Sequence, residues 1–377
     1  MHNLTLGLLA AAALFTAFSS QAENGVTDQS ILIGQSAAMT GPAQGLGIEL
    51  SNGARLYFDQ VNASGGIHGR KIQLETLDDG YEPEKTAINT RKLIQDSKVF
   101  ALFGYVGTPT SQAALPLVND ARIPFIGAFT GAQLLREPFN RNVFNIRASY
   151  FDETEKIAEH LTTIGVTKIA VLYQNDAYGK AGLAGMEKAL EKRKLKPVAT
   201  ATVERNSTDV EAAAKTITAA KPDAILVVSA YKSVAAFVLA MKKQGSAATI
   251  HNLSFVGSVP LAKELGANGV GVHIAQVVPF PWSGTLAVTR DYQELVRKAG
   301  RSDYSFTELE GYIAARVMAE GLRRAGKELT RDKLVAGLES MGKVDIGGYA
   351  ISFSPSSHNG SSFVDLSIIG SGGKFLH

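Results

Sequence analysis

Short strand-like runs alternate with stretches of helical periodicity along most of this sequence. Near the N-terminus, Ile31–Ile33 is β-like, and the apolar residues of segment 54–61 recur at the i, i+3, i+4, i+7 spacing of one helix face. Repeated strand–helix units build parallel sheets that are covered by helices on both faces. The alternation therefore predicts an α/β fold.

The alternation starts again after Arg147, which divides the chain into two α/β units. We expect strands at 31–33, 71–77, 99–103 and 123–126 in the first unit, at 168–173, 198–203, 224–228 and 270–278 in the second, and β-like runs at 349–353 and 363–369 near the C-terminus. A chain of 377 residues is long enough for two domains. We therefore predict two doubly wound parallel-sheet lobes. Because ligands lie beyond the carboxyl ends of parallel strands, we expect a binding cleft between the lobes.

The first residues of the chain predict export. Segment 4–18 is almost entirely apolar, but it is shorter than the ~20 residues that a membrane-spanning helix needs. Ser20-Gln21-Ala22 then fits a cleavage site with small residues at its first and third positions. We predict a signal peptide over residues 1–22 that is cleaved after Ala22.

Composition and motifs argue against several classes of function. The net charge of +3 gives no basis for nucleic-acid or membrane binding, and the absence of cysteine excludes disulfides and a thiol nucleophile. No dinucleotide-binding, Walker, zinc-protease or nucleophile-elbow motif is present. The seven histidines show no i, i+3 or i, i+4 pair. We therefore expect no enzyme activity, no cofactor and no metal.

The most informative candidate for ligand binding is segment 107–112, which directly follows a buried strand. We expect Thr108 to cap the next helix and Pro109 to occupy its first position. The backbone N–H groups of Thr110 and Ser111 would then be free to bind an anion such as a carboxylate. The alternative is an ordinary capped helix that binds no ligand.

Other candidates follow neighbouring strands. Phe129, Thr130 and Gly131 lie after the fourth strand and could add backbone or hydroxyl contacts, or could form a plain turn. Tyr178 and Tyr231 follow strands of the second unit. Tyrosine is rigid, amphipathic and able to hydrogen-bond, so these two residues are candidates for the other wall of the cleft.

Several short motifs resemble the Leu/Ile/Val-binding-protein family of periplasmic solute receptors. They are Thr40-Gly41-Pro42, Asn62-Ala63-Ser64-Gly65-Gly66-Ile67-His68-Gly69, Asp78-Asp79, Glu82-Pro83, Tyr178-Gly179 and Glu310-Gly311-Tyr312. The resemblance covers nearly the whole chain after the leader. It implies a periplasmic receptor that binds an amino acid or a related small carboxylate and docks on the ABC permease of the inner membrane. We expect this receptor to be a monomer.

The resemblance also implies a fold, with two lobes joined by the three-strand hinge of type I periplasmic binding proteins. Lobe 1 would comprise residues 23–147 plus 283–343, and lobe 2 would comprise residues 148–282 plus 344–377. In the family, a hydroxyl residue after the third strand meets the ligand carboxylate, and Thr108 matches it. The stretch from Phe129 to Gly131 matches the groups after the fourth strand.

Tyr178 and Tyr231 correspond best to the family's tyrosines in the second lobe, whereas Leu46 stands where the family has an aromatic side chain beside the pocket. The segment that should hold an acidic residue for the ligand ammonium is Phe255-Val256-Gly257-Ser258-Val259. A buried ammonium without a counter-charge is costly. Either another acid substitutes, with Glu308, Glu310 and Asp152 as candidates, or the ligand has no ammonium.

The sequence therefore leaves the ligand class open. A branched-chain or other apolar amino acid, a related small carboxylate, and an aromatic or aliphatic acid without an ammonium group all fit the carboxylate end of the site. A ligand-sensing regulator without a transporter is a further alternative.

Overall fold

A computed structural model describes residues 23–377 of the chain. The predicted signal peptide lies outside the described residues. The first half of the described chain forms β1 (Ser30–Ala37), α1 (Gln44–Ala63), β2 (Lys71–Asp78), α2 (Pro83–Gln95), β3 (Ala101–Phe103), α3 (Thr108–Ala121), β4 (Phe125–Ile126) and β5 (Val143–Phe144).

The second series of strand–helix units begins with a helix at Tyr150. It comprises α4 (Tyr150–Thr163), β6 (Ile169–Gln174), α5 (Ala177–Glu191), β7 (Thr200–Val203), α6 (Glu211–Ala219), β8 (Ala224–Val228), α7 (Tyr231–Lys243), β9 (Thr249–Asn252), α8 (Ser258–Leu265) and β10 (His273–Gln276). The chain ends with α9 (Ala287–Lys298), α10 (Phe306–Ala325), α11 (Arg331–Glu339), β11 (Gly342–Asp345), β12 (Ala350–Phe353), β13 (Asp365–Ile369) and β14 (Phe375–Leu376).

These strands form two main sheets, so the predicted fold class is confirmed. The first sheet has the order β2-β1-β3-β4-β5, and all of its strands run parallel. The second sheet has the order β14-β13-β10-β9-β8-β6-β7, in which β13 and β14 form an antiparallel edge on a parallel sheet. The central strands β3 and β8 are completely buried because helices cover both faces.

The chain passes between the two parts three times. It leaves the first sheet after β5, leaves the second sheet after β10 and returns to it at β13. Between the last two crossings, α10 packs along α1 so closely that a Cβ at Gly311 would overlap the backbone of Leu50. The segment between the second and third crossings therefore adds the helices α9, α10 and α11 to the first lobe.

The two-stranded hairpin of β11 and β12 contacts the first sheet. The ring centroids of Phe144 and Phe353 are 5.3 Å apart, and the Gly360 amide donates a hydrogen bond of 2.7 Å to the Asn145 carbonyl. The lobe boundaries at 147/148 and 282/283 remain predictions. On the basis of this packing, we propose that the third boundary falls after the hairpin rather than at 343/344.

Strand β9 was absent from the sequence-based expectation because its residues, Thr-Ile-His-Asn, are mostly polar. The side chains of His251 and Asn252 are nevertheless buried. Asn252 donates a hydrogen bond of 3.1 Å to the His273 carbonyl, and the His251 ring lies 3.0 Å from the Thr249 hydroxyl. Among residues 23–377, no helix combines the length and apolar character that membrane crossing requires.

Candidate ligand-binding site

Helix α3 begins at the carboxyl end of β3, but its cap differs from the expectation. Gly107 is the N-cap, with φ of +104°, and Thr108 is the first helical residue. A side chain at position 107 would overlap the ring of Tyr81, and the positive φ also favours glycine. The expected cap position is therefore wrong by one residue. The Thr108 hydroxyl does not cap the helix.

The hydroxyls of this segment meet those of the neighbouring strand end. The Thr108 and Thr130 hydroxyl oxygens are 2.6 Å apart, and both side chains are buried. The Ser111 amide donates to the Gly107 carbonyl at 3.1 Å, so it is not free as expected. The Ser111 hydroxyl, in contrast, is buried without a hydrogen-bond partner in the described part of the chain. We call Thr108, Ser111 and Thr130 the hydroxyl group of the site.

Five buried aromatic side chains form a cluster beside these hydroxyls, and each follows a strand or crossing. The aromatic cluster consists of Tyr81, Phe129, Tyr150, Tyr178 and Phe255. The Phe255 ring centroid lies 5.7 Å from that of Tyr81, 5.3 Å from that of Phe129 and 4.6 Å from that of Tyr178. Tyr81 and Phe129 belong to the first lobe and Phe255 to the second, so the cluster joins both lobes.

Two tyrosine hydroxyls of the aromatic cluster are buried without a hydrogen-bond partner among residues 23–377. They belong to Tyr150 and Tyr178, whose ring centroids are 5.3 Å apart. Burial raises the pKa of Tyr150 to about 12, so this hydroxyl stays protonated at neutral pH. An unpartnered buried hydroxyl costs free energy. These two groups are therefore available as donors to a bound ligand.

Arg147 lies behind the aromatic cluster on the first crossing. Its Cζ atom is 5.0 Å from the Phe129 ring centroid, its Nη2 donates to Glu153 Oε1 at 3.1 Å, and its Nη1 is 3.4 Å from Glu310 Oε1. Its Nε and Nη1 atoms are buried without a hydrogen-bond partner in the described chain. Burial raises the pKa of Glu310 to about 7, against the opposing effect of Arg147.

Glu153 links this charge network to the aromatic cluster. Its carboxylate accepts hydrogen bonds from the Ser254 amide at 2.7 Å and from the Ser254 hydroxyl at 3.0 Å. Ser254 directly precedes Phe255. The salt bridge between Arg147 and Glu153 therefore positions the central ring of the cluster.

The other two acids that the sequence offered as ammonium partners are engaged elsewhere. Glu308 accepts from the Tyr292 hydroxyl at 2.6 Å and pairs with Arg301 at 2.6 Å. Asp152 accepts from the backbone and hydroxyl of Ser149 in a capping box at the start of α4. Of the three candidates, Glu310 is the one that pairs with Arg147, whose guanidinium lies over the Phe129 ring.

Leu46 and Tyr231 lie together at the edge of the aromatic cluster. The Gly45 amide donates to the Tyr231 hydroxyl at 3.3 Å across the two lobes. A Cβ at Gly257 would overlap the Leu46 side chain and would lie 3.6 Å from the Tyr231 ring. The structure thus brings together most of the predicted ligand contacts, namely Thr108, the stretch from Phe129 to Gly131, and Tyr178. It places Leu46 and Tyr231 beside them.

A second set of contacts ties the lobes together on the outer side of the aromatic cluster. Arg205 Nη2 lies 2.9 Å from Glu82 Oε2, and Asn206 Nδ2 donates to Glu82 Oε1 at 2.8 Å and to the Gly80 carbonyl at 3.2 Å. We call Gly80, Glu82, Arg205 and Asn206 the clasp. Its two halves follow β2 in the first lobe and β7 in the second.

Sequence reasoning did not single out Tyr81, Arg147 or Tyr150. Tyr150 carried a usable signal, because Ser149 and Asp152 have the spacing of a capping box that starts a helix immediately after the first crossing. No sequence signal indicated the role of Arg147, because an isolated arginine in a sequence does not show that it is buried between two distant glutamates.

Comparison with known proteins identifies the family. The model of the periplasmic binding protein family matches residues 30–372 of the chain. The chain belongs to this family. The resemblance to Leu/Ile/Val-binding proteins that the motifs indicated is thereby confirmed, and the family and fold are those of binding proteins of the periplasm.

Individual relatives agree with this assignment. Leu/Ile/Val-binding protein homolog 7 of Brucella suis is 25% identical over 309 residues, which cover 78% of this chain and 77% of that protein. A possible leucine/isoleucine/valine-binding protein from Rhodopirellula baltica has a solved structure with a TM-score of 0.87 and 31% identity, covering 95% of this chain and 98% of its own. The solved structure of a substrate-binding periplasmic protein from Ralstonia solanacearum also gives a TM-score of 0.87, at 34% identity. The match covers 92% of the chain described here and 99% of the Ralstonia chain.

Proposed function

We propose that this periplasmic binding protein is the receptor of an ABC importer and carries a small carboxylate with an apolar body to an inner-membrane permease. The observation that supports this proposal is the aromatic cluster, which is built from both lobes and lies beside the hydroxyl group of the site. Apolar rings suit the body of the ligand. Buried hydroxyls at the start of a helix suit its carboxylate.

In this mechanism the ligand first docks on the first lobe. Its carboxylate accepts hydrogen bonds from Thr108, Ser111 and Thr130, helped by the positive end of the α3 dipole. The second lobe then closes, so that Tyr178 and Phe255 cover the apolar body and Tyr231 meets Gly45. Closure is a hinge motion, and the ligand biases it because it contacts both lobes only in the closed form.

The proposal includes the route and partner of the protein. A signal peptide that ends at Ala22 would direct it to the periplasm, where it would act as a monomer. The closed, ligand-bound form would then dock on the permease. The ligand class includes the apolar amino acids that the names of the relatives imply, as well as carboxylic acids without an ammonium group.

A thermal-shift screen tests the proposal. The full chain is expressed with its own leader, and the exported protein is unfolded and refolded to remove any carried-over ligand. The panel covers apolar, polar and acidic amino acids together with aromatic and aliphatic acids. A ligand at ~100 times its Kd stabilises the native state by about 2.7 kcal/mol, which corresponds to a shift of several degrees. The absence of a shift with every carboxylate in the panel would contradict the proposal.

A further inference from the structure

We infer that the ligand is a carboxylate that carries no ammonium group, and that Arg147 is the residue that sets this preference. The inference rests on the proposed function and specifies the ligand class of the same site. It starts from the polar atoms that the protein leaves unpaired around the aromatic cluster.

All of these unpaired atoms belong to groups that can donate a hydrogen bond. Beside the aromatic cluster, the buried side-chain donors without a hydrogen-bond partner in residues 23–377 are Ser111 Oγ, Tyr150 OH, Tyr178 OH and Arg147 Nε, whereas Arg147 Nη1 makes no hydrogen bond but faces Glu310 at 3.4 Å. Guanidinium N–H groups only donate, and hydroxyls donate or accept. A carboxylate satisfies such a set of donors. An ammonium, which only donates, finds no charged acceptor among them.

The carboxylates near the aromatic cluster already have partners within the protein. Glu153 accepts from Arg147 and from Ser254. Asp176 caps α5 by accepting from the Tyr178 amide at 2.9 Å, and its other oxygen accepts from the Gln174 amide group at 2.6 Å. A ligand ammonium would have to break one of these bonded arrangements in order to gain an acceptor.

Two further acids near the cleft are also engaged. Asp79 accepts from the Ser36 hydroxyl at 2.7 Å and from the Tyr81 amide at 2.8 Å. Glu49 accepts from the Ser305 hydroxyl at 2.8 Å.

Glu310, in turn, is paired with Arg147. The Glu310 carboxylate lies 3.4 Å from Arg147 Nη1, so an ammonium that reached this carboxylate would approach the guanidinium closely. The ammonium would then compete with Arg147 for this carboxylate, and weakening a buried ion pair costs free energy. At position 255, where a carboxylate would offer an alternative, the chain has phenylalanine packed among three other rings.

The test uses pairs of ligands that differ in the α-ammonium group. Binding of leucine is compared with that of 4-methylpentanoate, and binding of phenylalanine with that of 3-phenylpropanoate, by titration calorimetry on the refolded, exported protein at pH 7.5. We expect at least one acid to bind about tenfold or more tightly than its amino-acid partner, because the ammonium loses its hydration without gaining an acceptor.

Equal or tighter binding of the amino acids would overturn this inference and leave the proposed function intact. Failure of both members of both pairs, together with no hit in the wider carboxylate panel, would overturn the proposed function and this inference with it.

Glu310→Gln distinguishes the inference from its main rival. If Glu310 were the ammonium acceptor, this near-isosteric change would selectively weaken the amino acids. We expect instead that the variant prefers the acid at least as strongly as the parent does, because Arg147 stays in place and loses a counter-charge. A loss of amino-acid binding of tenfold or more, with acid binding retained, would assign the ammonium to Glu310 and overturn the inference. Circular dichroism and thermal unfolding of the variant show whether the fold is retained.

Discussion

Removing the Glu82 carboxylate should weaken ligand binding although this side chain belongs to the clasp and not to the aromatic cluster. Glu82 in the first lobe bonds Arg205 and Asn206 of the second. These contacts join loops of opposite lobes, so lobe opening breaks them. Because the ligand binds the closed form, any loss of closed-form stability appears in the Kd.

The expected magnitude follows from the exposure of the partners. The side chains of Glu82 and Arg205 are 36% and 22% exposed, so their ion pair contributes about 0.5–1 kcal/mol after solvent screening. The hydrogen bond from Asn206 adds about 0.5–1 kcal/mol. Glu82→Ala should therefore cost about 1–2 kcal/mol of closure, which corresponds to a Kd about 5–30-fold higher. Glu82 makes no side-chain capping bond to α2, so Glu82→Ala removes no capping bond from this helix.

The chain offers a matched control in Glu155. Its side chain is 35% exposed and pairs with Arg193, which is 20% exposed, but both residues belong to the second lobe. Glu155→Ala therefore removes a comparable ion pair that does not cross the cleft. Calorimetry with the panel member that gives the largest thermal shift should show a weaker Kd for Glu82→Ala and a Kd within about twofold of the parent for Glu155→Ala. Equal affinities of the two variants would refute the idea that the clasp stabilises closure.

Three further predictions address the hydroxyl group, the α3 cap and the second-lobe histidines. Thr108→Ala should weaken binding of the same ligand by about 1–3 kcal/mol, because it removes a partner of a charged carboxylate, and an unchanged calorimetric Kd would remove Thr108 from the site. Gly107→Ala should lower the free energy of unfolding by about 2–6 kcal/mol, because the new side chain would be strained at φ of +104° and would overlap the Tyr81 ring. An unchanged midpoint of urea unfolding would contradict this account. Burial, together with the neighbouring His273 and His160, lowers the pKa of His251 to about 3 in the folded protein. Between pH 6.5 and 3 the unfolded chain therefore binds more protons at this residue than the folded protein does, so the free energy of unfolding should fall as the pH falls. His251→Gln should reduce this fall by at most about 1.4 kcal/mol per pH unit. Urea unfolding of the parent and the variant at pH 7, 5.5 and 4.5 measures the difference, and identical pH profiles of the two proteins would show that His251 is not responsible.

The architecture could be predicted from the sequence because local patterns determine it. Strands β2 and β8 lie where apolar spacing predicts them, and helix α1 contains the predicted face at 54–61 although it begins ten residues earlier, at Gln44. The antiparallel edge of the second sheet was not predicted. The run near β13 is β-like, but its pairing with β10 joins segments that are about 90 residues apart.

The site was less predictable because its geometry depends on contacts between distant residues. Position 107 must be glycine in this arrangement because the ring of Tyr81 occupies the space beside it, and no local rule reveals that contact. The same holds for the salt bridge of Arg147 with Glu310, which joins the first crossing to α10. The absence of an acid from segment 255–259, by contrast, is visible in the sequence once the family resemblance is recognised.

A crystal structure of the exported protein with the tightest-binding panel member tests the central claim most directly. The account predicts a closed form in which the ligand carboxylate lies within hydrogen-bond distance of Thr108 and Ser111, with the apolar body against the aromatic cluster. A ligand bound outside the cleft, or one whose carboxylate points away from the start of α3, would contradict it.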